Sequence, residues 1–261
     1  MGKVIAAAKA SSWLEAALAP LSSLRAAVLG DFCLDAYWQL DTAEPEISLE
    51  TGLPVRRVRS QKYSLGGAGN VVANLVDLGV GQVEAIGVVG TDLFGAELMR
   101  LLRAYGPAVR DHMVEDPHWQ TMVYAKPWHR DQEESRIDFG AFNKLTVETI
   151  DALVAALDVA AAENQVVVLN QQVPGGMSTL PVIERINEVI ARYPDTHFLV
   201  DARHRPDLYR GANLKLNVQE AAQFLQVSTE GFVATEKAKE FARQITCRTG
   251  KPTFLTRGEC G

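Results

Sequence analysis

The sequence predicts an α/β protein built on a mainly parallel β-sheet with helices covering both faces. Short apolar runs alternate along the chain with amphipathic stretches of about 10–15 residues, the pattern of repeated βαβ units. The 261 residues are 47% hydrophobic, enough apolar matter for one large α/β core or two small ones. No repeat or low-complexity linker divides the chain, so one domain is expected over residues 1–261.

Taken in order, Ser12 and Glu15 have the spacing of a capping box and predict an amphipathic N-terminal helix. The five-residue apolar run before Lys9 is too short for the core of a secretory signal. Residues 25–31, "RAAVLGD", read as a buried strand. In residues 69–79, Val72, Leu75 and Val76 recur at helical spacing, and residues 83–90 are the next strand. Residues 95–106 carry Leu98, Leu101, Leu102 and Tyr105 on one helical face, with Gly106 as the expected C-cap. Further on come helix 146–163, strand 165–171, helix 179–193, strand 197–203, strand 214–218, helices 219–226 and 235–249, and strand 253–256.

Two stretches depart from this rhythm. Residues 36–64 contain Pro45, Gly52 and Pro54, with a loose basic run at Arg56, Arg57, Arg59 and Lys62 whose plainest reading is a solvated strand face. Residues 118–139 alternate apolar and polar around the tip "RDQEE", the pattern of a β-hairpin. Both are expected to form a small β layer standing off the main sheet.

Composition narrows the function classes. Charged residues make up 22% of the chain and the net charge is −6, so no basic excess exists to neutralise nucleic-acid phosphates. No stretch approaches the roughly 18 apolar residues of a membrane span. Cys33, Cys247 and Cys260 form no CxxC pair, which fits a reducing compartment and a cytoplasmic protein without a disulfide framework or zinc site.

Four motifs carry chemistry. In "GDFCLD" (30–35), Asp35 lies where a strand gives way to a loop, and a carboxylate there can accept hydrogen bonds from a diol; a cap or turn role is the ordinary alternative. In "SLGGAGNVVANL" (64–75), Gly66 and Gly67 precede a helix, where backbone can approach a ligand and the helix N-terminus favours oxygen ligands. Asn70 and Asn74 fall one turn apart on that helix. The stretch lacks both GxxxxGK[ST] and the last glycine of a dinucleotide fingerprint, and a plain glycine turn stays open. "GVVGTDLFG" (87–95) fits a βα turn, functional or structural. "LKLNVQEAAQF" (214–224) places Asn217 and Glu220 three residues apart at a strand end, which suits a hydrated magnesium ion with phosphates and equally suits a helix cap.

In their order along the chain these motifs resemble the ribokinase-like sugar kinases, the PfkB carbohydrate kinase family. "LGDFCLDAYW", "LGGAGNVVANLVDLG", "GVVGTDLFG", "SRIDF", "LVDAR", "YRGANLKLNVQE" and "FLTRGECG" are most similar to the kinase domain of its bacterial bifunctional heptose 7-phosphate kinase/ADP-heptose synthase branch. The similarity runs over residues 24 to 261. It implies a three-layer α/β sandwich with a β lid formed by insertions at about 36–64 and 118–139, a lid that serves in such kinases as a dimer clasp. It implies transfer of the ATP γ-phosphate to a hydroxyl of a sugar or sugar phosphate, with ATP and Mg2+ as cofactors. By the resemblance, Asp35, Gly66, Gly67 and Asn70 would hold the sugar. Asn217 and Glu220 would organise phosphates and magnesium, with Glu220 on the metal side, and Thr256, Arg257 and Gly258 would open the nucleotide site.

The resemblance also implies a Gly-Ala-Gly-Asp segment after the "TRG" strand, whose glycines would form an anion hole and whose Asp would be the catalytic base. Residues 1–261 do not contain it. The expectation is therefore a kinase truncated at the C-terminus, with its base beyond Gly261 and little turnover from the 261 residues alone. A non-catalytic sugar- or sugar-phosphate-binding protein derived from such a kinase is the alternative. Three segments depart from the heptose branch. "NQQVPGG" (170–176) has neither the acid nor the lysine usual there, "KPWHRDQEE" (126–134) differs ahead of Arg136 and Asp138, and His204-Arg205-Pro206 replaces a lysine-glycine turn.

Overall fold

The structure, a computed structural model, describes residues 13–43, 46–173, 176–229 and 233–260. Residues 13–18 are helical; Ser12 of the predicted capping box lies outside the described residues, as does Pro45. The chain then forms β1 (Arg25–Gly30), β2 (Phe32–Leu40), β3 (Val58–Gly67), α1 (Ala68–Asp77), β4 (Gln82–Val89), α2 (Leu93–Arg103) and β5 (Val109–Glu115). There follow β6 (Met122–His129), β7 (Gln132–Glu133), β8 (Ile137–Phe139), α3 (Val147–Glu163), β9 (Val166–Gln171), α4 (Leu180–Arg192) and β10 (His197–Ala202). The last elements are β11 (Asn213–Asn217), α5 (Val218–Leu225), α6 (Thr235–Thr249) and β12 (Thr253–Thr256).

Seven strands form the main sheet in the order β12-β11-β10-β9-β1-β4-β5, and every pairing is parallel. Alternate residues of the central strands face opposite helical layers. Ala27 and Leu29 pack in a cluster with Leu153 and Leu157 of α3 and Ile183 and Ile186 of α4. Ala26 and Val28 face Val72 of α1 and Leu98 and Leu102 of α2. Strands buried on both faces read as continuous apolar runs, which is why they were visible in the sequence.

From β1 the chain builds outward one way through β4 and β5, and the other way through β9 to β12. The strand order therefore reverses between β1 and β9, and the crevice beyond the carboxyl ends of those strands is where open α/β sheets hold ligands.

The two irregular stretches contribute to one further sheet, ordered β3-β2-β6-β7, with β8 on β6. β6 and β7 form the expected hairpin, turning at Arg130 with φ of 56°. The strands of this sheet run past the predicted bounds, β2 starting at Phe32 and β3 ending at Gly67. Three other expectations are corrected. Asp35 lies inside β2 and not at a strand end. Gly106 does not cap a helix: α2 ends at Arg103, and Gly106 opens a 3-10 turn. β5 was not predicted, because "VRDHMVE" is an edge strand with three consecutive exposed polar residues and no apolar run.

Candidate active site

At the switch point the first residue after β1 is Asp31, only 5% exposed. Its carboxylate Oδ2 accepts hydrogen bonds from the backbone N–H groups of Gln172 (2.7 Å) and Val173 (2.9 Å), in the loop leaving β9. Its carbonyl accepts from the N–H of Ala68, the first residue of α1, at 3.0 Å. Burial raises the Asp31 pKa to about 6 against the opposing effect of the two backbone donors. The glycine pair fits tightly against this strand end. Gly67 has φ of 54°, and a Cβ there would sit 2.3 Å from the Asp31 carbonyl oxygen, so the turn into α1 requires glycine.

Asp35 projects from the face of the second sheet shared by Ser64, Tyr124 and Asp138, its neighbours across β3, β6 and β8. One carboxylate oxygen is 2.6 Å from Lys126 Nζ. The other occupies space that only a glycine at position 66 leaves open, since a Cβ on Gly66 would lie 2.9 Å from it. Burial works against the Lys126 ammonium, but the Asp35 carboxylate more than offsets it and the lysine pKa is raised. Lys126 also lies 4.9 Å from the centre of the Tyr37 ring. Arg136 stacks on Tyr124 at 4.4 Å and pairs with Asp138 at 2.6 Å, which raises its pKa. Cys33, between Asp31 and Asp35 in sequence, is buried; burial and the two carboxylates push its thiol up to about 12, so it is an inert neutral group.

A cavity of about 400 Å³ lies between this sheet and the strand ends, walled by Tyr124, Arg136, Asp138, Gln172, Arg203 and His204 among others. None of the four residues expected to hold a sugar lines it. Asp35 pairs across strands with the lining Tyr124, Gly66 and Gly67 stack beneath Asp35 and Asp31, and Asn70 is exposed on the first turn of α1. Asn74 is exposed one turn further along.

A second cavity of about 560 Å³ continues past the shared residues Gln172, Arg203 and His204 to Lys215, Asn217 and Glu220. A third of about 420 Å³ shares Asn217 and Gln219 with it and ends at Thr256, Arg257 and Gly258. Asn217 and Glu220 form a reciprocal capping box at the start of α5: Asn217 Oδ1 accepts from the Glu220 N–H at 2.9 Å, and Glu220 Oε2 accepts from the Asn217 N–H at 2.7 Å. The cap reading is thus observed. A ligand role for the same pair is compatible with it, since each carboxylate oxygen has further lone pairs. Among the described residues no three metal-ligating side chains cluster. A single carboxylate suits magnesium, which keeps several waters and takes the rest of its ligands from phosphates.

The turn at 87–95 is structural. Asp92 caps α2 through the Gly95 N–H and also accepts from the Thr121 N–H, both at 2.8 Å, tying the approach to β6 onto the main sheet. Sequence reasoning passed over Asp31, Lys126, Arg203 and His204. A carboxylate directly after a buried central strand was a legible signal for Asp31; nothing local marked the others as neighbours.

A family model described as pfkB family carbohydrate kinase matches residues 26–189. The chain belongs to the pfkB carbohydrate kinase family. Among curated pfkB relatives, the "Bifunctional protein HldE" of Methylococcus capsulatus is 37% identical over 249 residues, covering 94% of this chain and 49% of that protein. The "D-beta-D-heptose 7-phosphate kinase" of Bordetella bronchiseptica is 33% identical over 199 residues, covering 74% of this chain and 59% of that one. The chain therefore spans about half the length of the curated relatives it matches. Phosphofructokinase-2 from Escherichia coli, solved in complex with fructose-6-phosphate, shares the fold with a TM-score of 0.64 at 17% identity, covering 91% of this chain and 75% of that one.

Proposed function

We propose that this pfkB chain belongs to a cytoplasmic enzyme that transfers the γ-phosphate of ATP to a hydroxyl of a phosphorylated sugar, with a heptose 7-phosphate the first substrate to test. The observation that carries the reading is the continuous groove at the strand ends, which runs through three cavities with shared walls from Arg136 to Gly258. One end is lined by Asp138, Arg136 and Arg203, with the Asp35–Lys126 pair beside the lining residue Tyr124, a set that matches a polyol carrying an anion. The Bordetella bronchiseptica relative named a heptose 7-phosphate kinase supports that choice. The other end offers Asn217 and Glu220 for hydrated magnesium with phosphates, and Thr256 to Gly258 for the nucleotide.

In this mechanism Asp35 accepts hydrogen bonds from sugar hydroxyls while Lys126, 2.6 Å away, holds it in place. Gly66 and Gly67 leave room for the Asp35 carboxylate and the Asp31 carbonyl to pack against the turn into α1, and Asn70 supplies an amide from the first turn of that helix. Arg136 and Arg203 take the substrate phosphate. Magnesium-ATP supplies the electrophilic phosphoryl group, and Asn217 and Glu220 orient its charged end. The proton of the attacking hydroxyl needs a general base, a role the family resemblance gives to the Asp of a Gly-Ala-Gly-Asp segment that residues 1–261 do not contain. The second sheet acts as a lid over the single α/β unit, and its exposed apolar arm, Ile47, Leu49, Leu53 and Val55, supports a homodimer.

The test measures binding and transfer separately, with heptose 7-phosphate, fructose 6-phosphate and unphosphorylated sugars, on residues 1–261 and on a chain extended through Gly-Ala-Gly-Asp. Binding by both with transfer only by the extended chain is expected, since loss of a general base alone costs about 10²–10⁴-fold. Binding without transfer in either marks a sugar-phosphate-binding protein. Binding of no sugar contradicts the proposal.

A further inference from the structure

The walls of the groove come from separate strand ends, and a chain of partly buried hydrogen bonds ties them together. Asp31 follows β1. Its carbonyl receives the Ala68 N–H that opens α1, and its carboxylate receives the N–H groups of Gln172 and Val173. The Val173 carbonyl accepts from Gln171 Nε2 at 2.6 Å. Gln171, 1% exposed, also accepts the His204 N–H on Oε1 at 3.0 Å, so the chain reaches the loop after β10. Gln172, Arg203 and His204 line both the first and the second cavity. Two segments that wall the groove thus hang from one carboxylate and one amide, and the Asp31 backbone carbonyl holds the start of α1 beside them.

We infer that Asp31 is the positioning residue of the site: its carboxylate sets the loop after β9, and through Gln171 the loop after β10, so that both walls hold one register. The inference rests on the reading of this groove as the sugar and phosphate site. A carboxylate suits the task because one oxygen can accept two converging N–H groups, and without it two partly buried donors lose their protein partner. Nothing about Asp31 requires it to touch substrate. Its action is through Gln172, Val173 and His204.

The experiment combines amide hydrogen exchange by NMR with calorimetric titration of heptose 7-phosphate, on the wild-type chain, Asp31→Ala and Asp31→Asn. In Asp31→Ala the amides of Gln172, Val173 and His204 should each lose protection by about tenfold or more, while Val28 in the middle of β1 keeps its own. Heptose 7-phosphate affinity should fall by about tenfold, and Asp31→Asn, whose amide oxygen still accepts, should recover both readouts to within about threefold. If Asp31→Ala does not fold, Asp31→Ser carries the same expectation, because its hydroxyl is one bond too short to reach both amides. Unchanged protection at His204, or full affinity in Asp31→Ala, overturns the inference. If the wild-type chain binds no heptose 7-phosphate, the functional reading fails, and the exchange data alone decide for or against the clamp.

Discussion

At the residue scale the two carboxylates of "GDFCLD" divide the work between structure and recognition. Asp35 is half-exposed, paired with Lys126 and close to the groove. Its replacement by Ala should weaken sugar-phosphate binding by about 1.5–3 kcal/mol, the worth of a charged hydrogen bond, and calorimetry reads this directly. Asp31 is buried, and its pKa rises from 3.8 to about 6. A carboxyl with a raised folded-state pKa is destabilising when ionised, so its cost grows as pH rises from about 4 to 6 and is complete above that. The shift corresponds to about 3 kcal/mol. Asp31→Asn should therefore be more stable than the parent at pH 8, by up to that amount, and the gap should close towards pH 4. The titratable groups facing Asp31 do not confuse the measurement: the Cys33 thiol is pushed up to about 12, and burial raises the Tyr124 and Tyr209 phenols. Urea unfolding at a series of pH values checks it; a variant less stable than the parent at pH 8 contradicts the assigned burial cost. A site residue that destabilises its fold is the ordinary cost of function.

At the element scale the decisive pieces are two helix starts. The turn into α1 has no side-chain cap; Gly67 at φ of 54° and the Asp31 carbonyl do that job. Gly67→Ala should cost more than about 1 kcal/mol in denaturant unfolding, since the backbone conformation and the oxygen 2.3 Å from the new Cβ both oppose it. At α5, Glu220→Gln keeps an acceptor for the Asn217 N–H, so stability should change by only about 0.5 kcal/mol while magnesium-ATP affinity falls. Equal affinity in that variant would leave Glu220 a cap and nothing more.

How much of this was legible follows from the same elements. Doubly buried strands and amphipathic helices announce themselves by period, and the sequence bounds of β1, β12, α1 and α6 agree with the structure to within two residues. β5 was missed because its exposed edge dilutes the apolar pattern, and Asp35 was misplaced because β2 follows β1 after a single residue, with no turn signal between them. Tyr124, Lys126 and Arg136 could not be joined to Asp35 from sequence, because β2 and β6 pair in parallel across some ninety residues of intervening chain. The capping box at 217–220 was legible as a pattern, but its spacing is the same for a cap and for a phosphate site.

On the scale of the whole molecule, the parallel sheet gathers the ends of β9, β10, β11 and β12 into one groove, and the second sheet supplies its far wall. The lid arm leaves Ile47, Leu49, Leu53 and Val55 exposed, four large apolar side chains within nine residues of chain. If it is a dimer clasp, Leu49→Asp should shift the chain from dimer to monomer in light scattering and leave its unfolding midpoint at low concentration unchanged. A parent that is already monomeric would remove the clasp from the account. The central claim is that the groove holds a phosphorylated sugar, and calorimetric titration with heptose 7-phosphate beside the unphosphorylated heptose tests it most directly. Binding should saturate at one molecule per chain and be about tenfold or more tighter with the phosphate, and that preference should be lost in Arg136→Ala. Equal affinity for the two sugars, or a preference that survives Arg136→Ala, would contradict it.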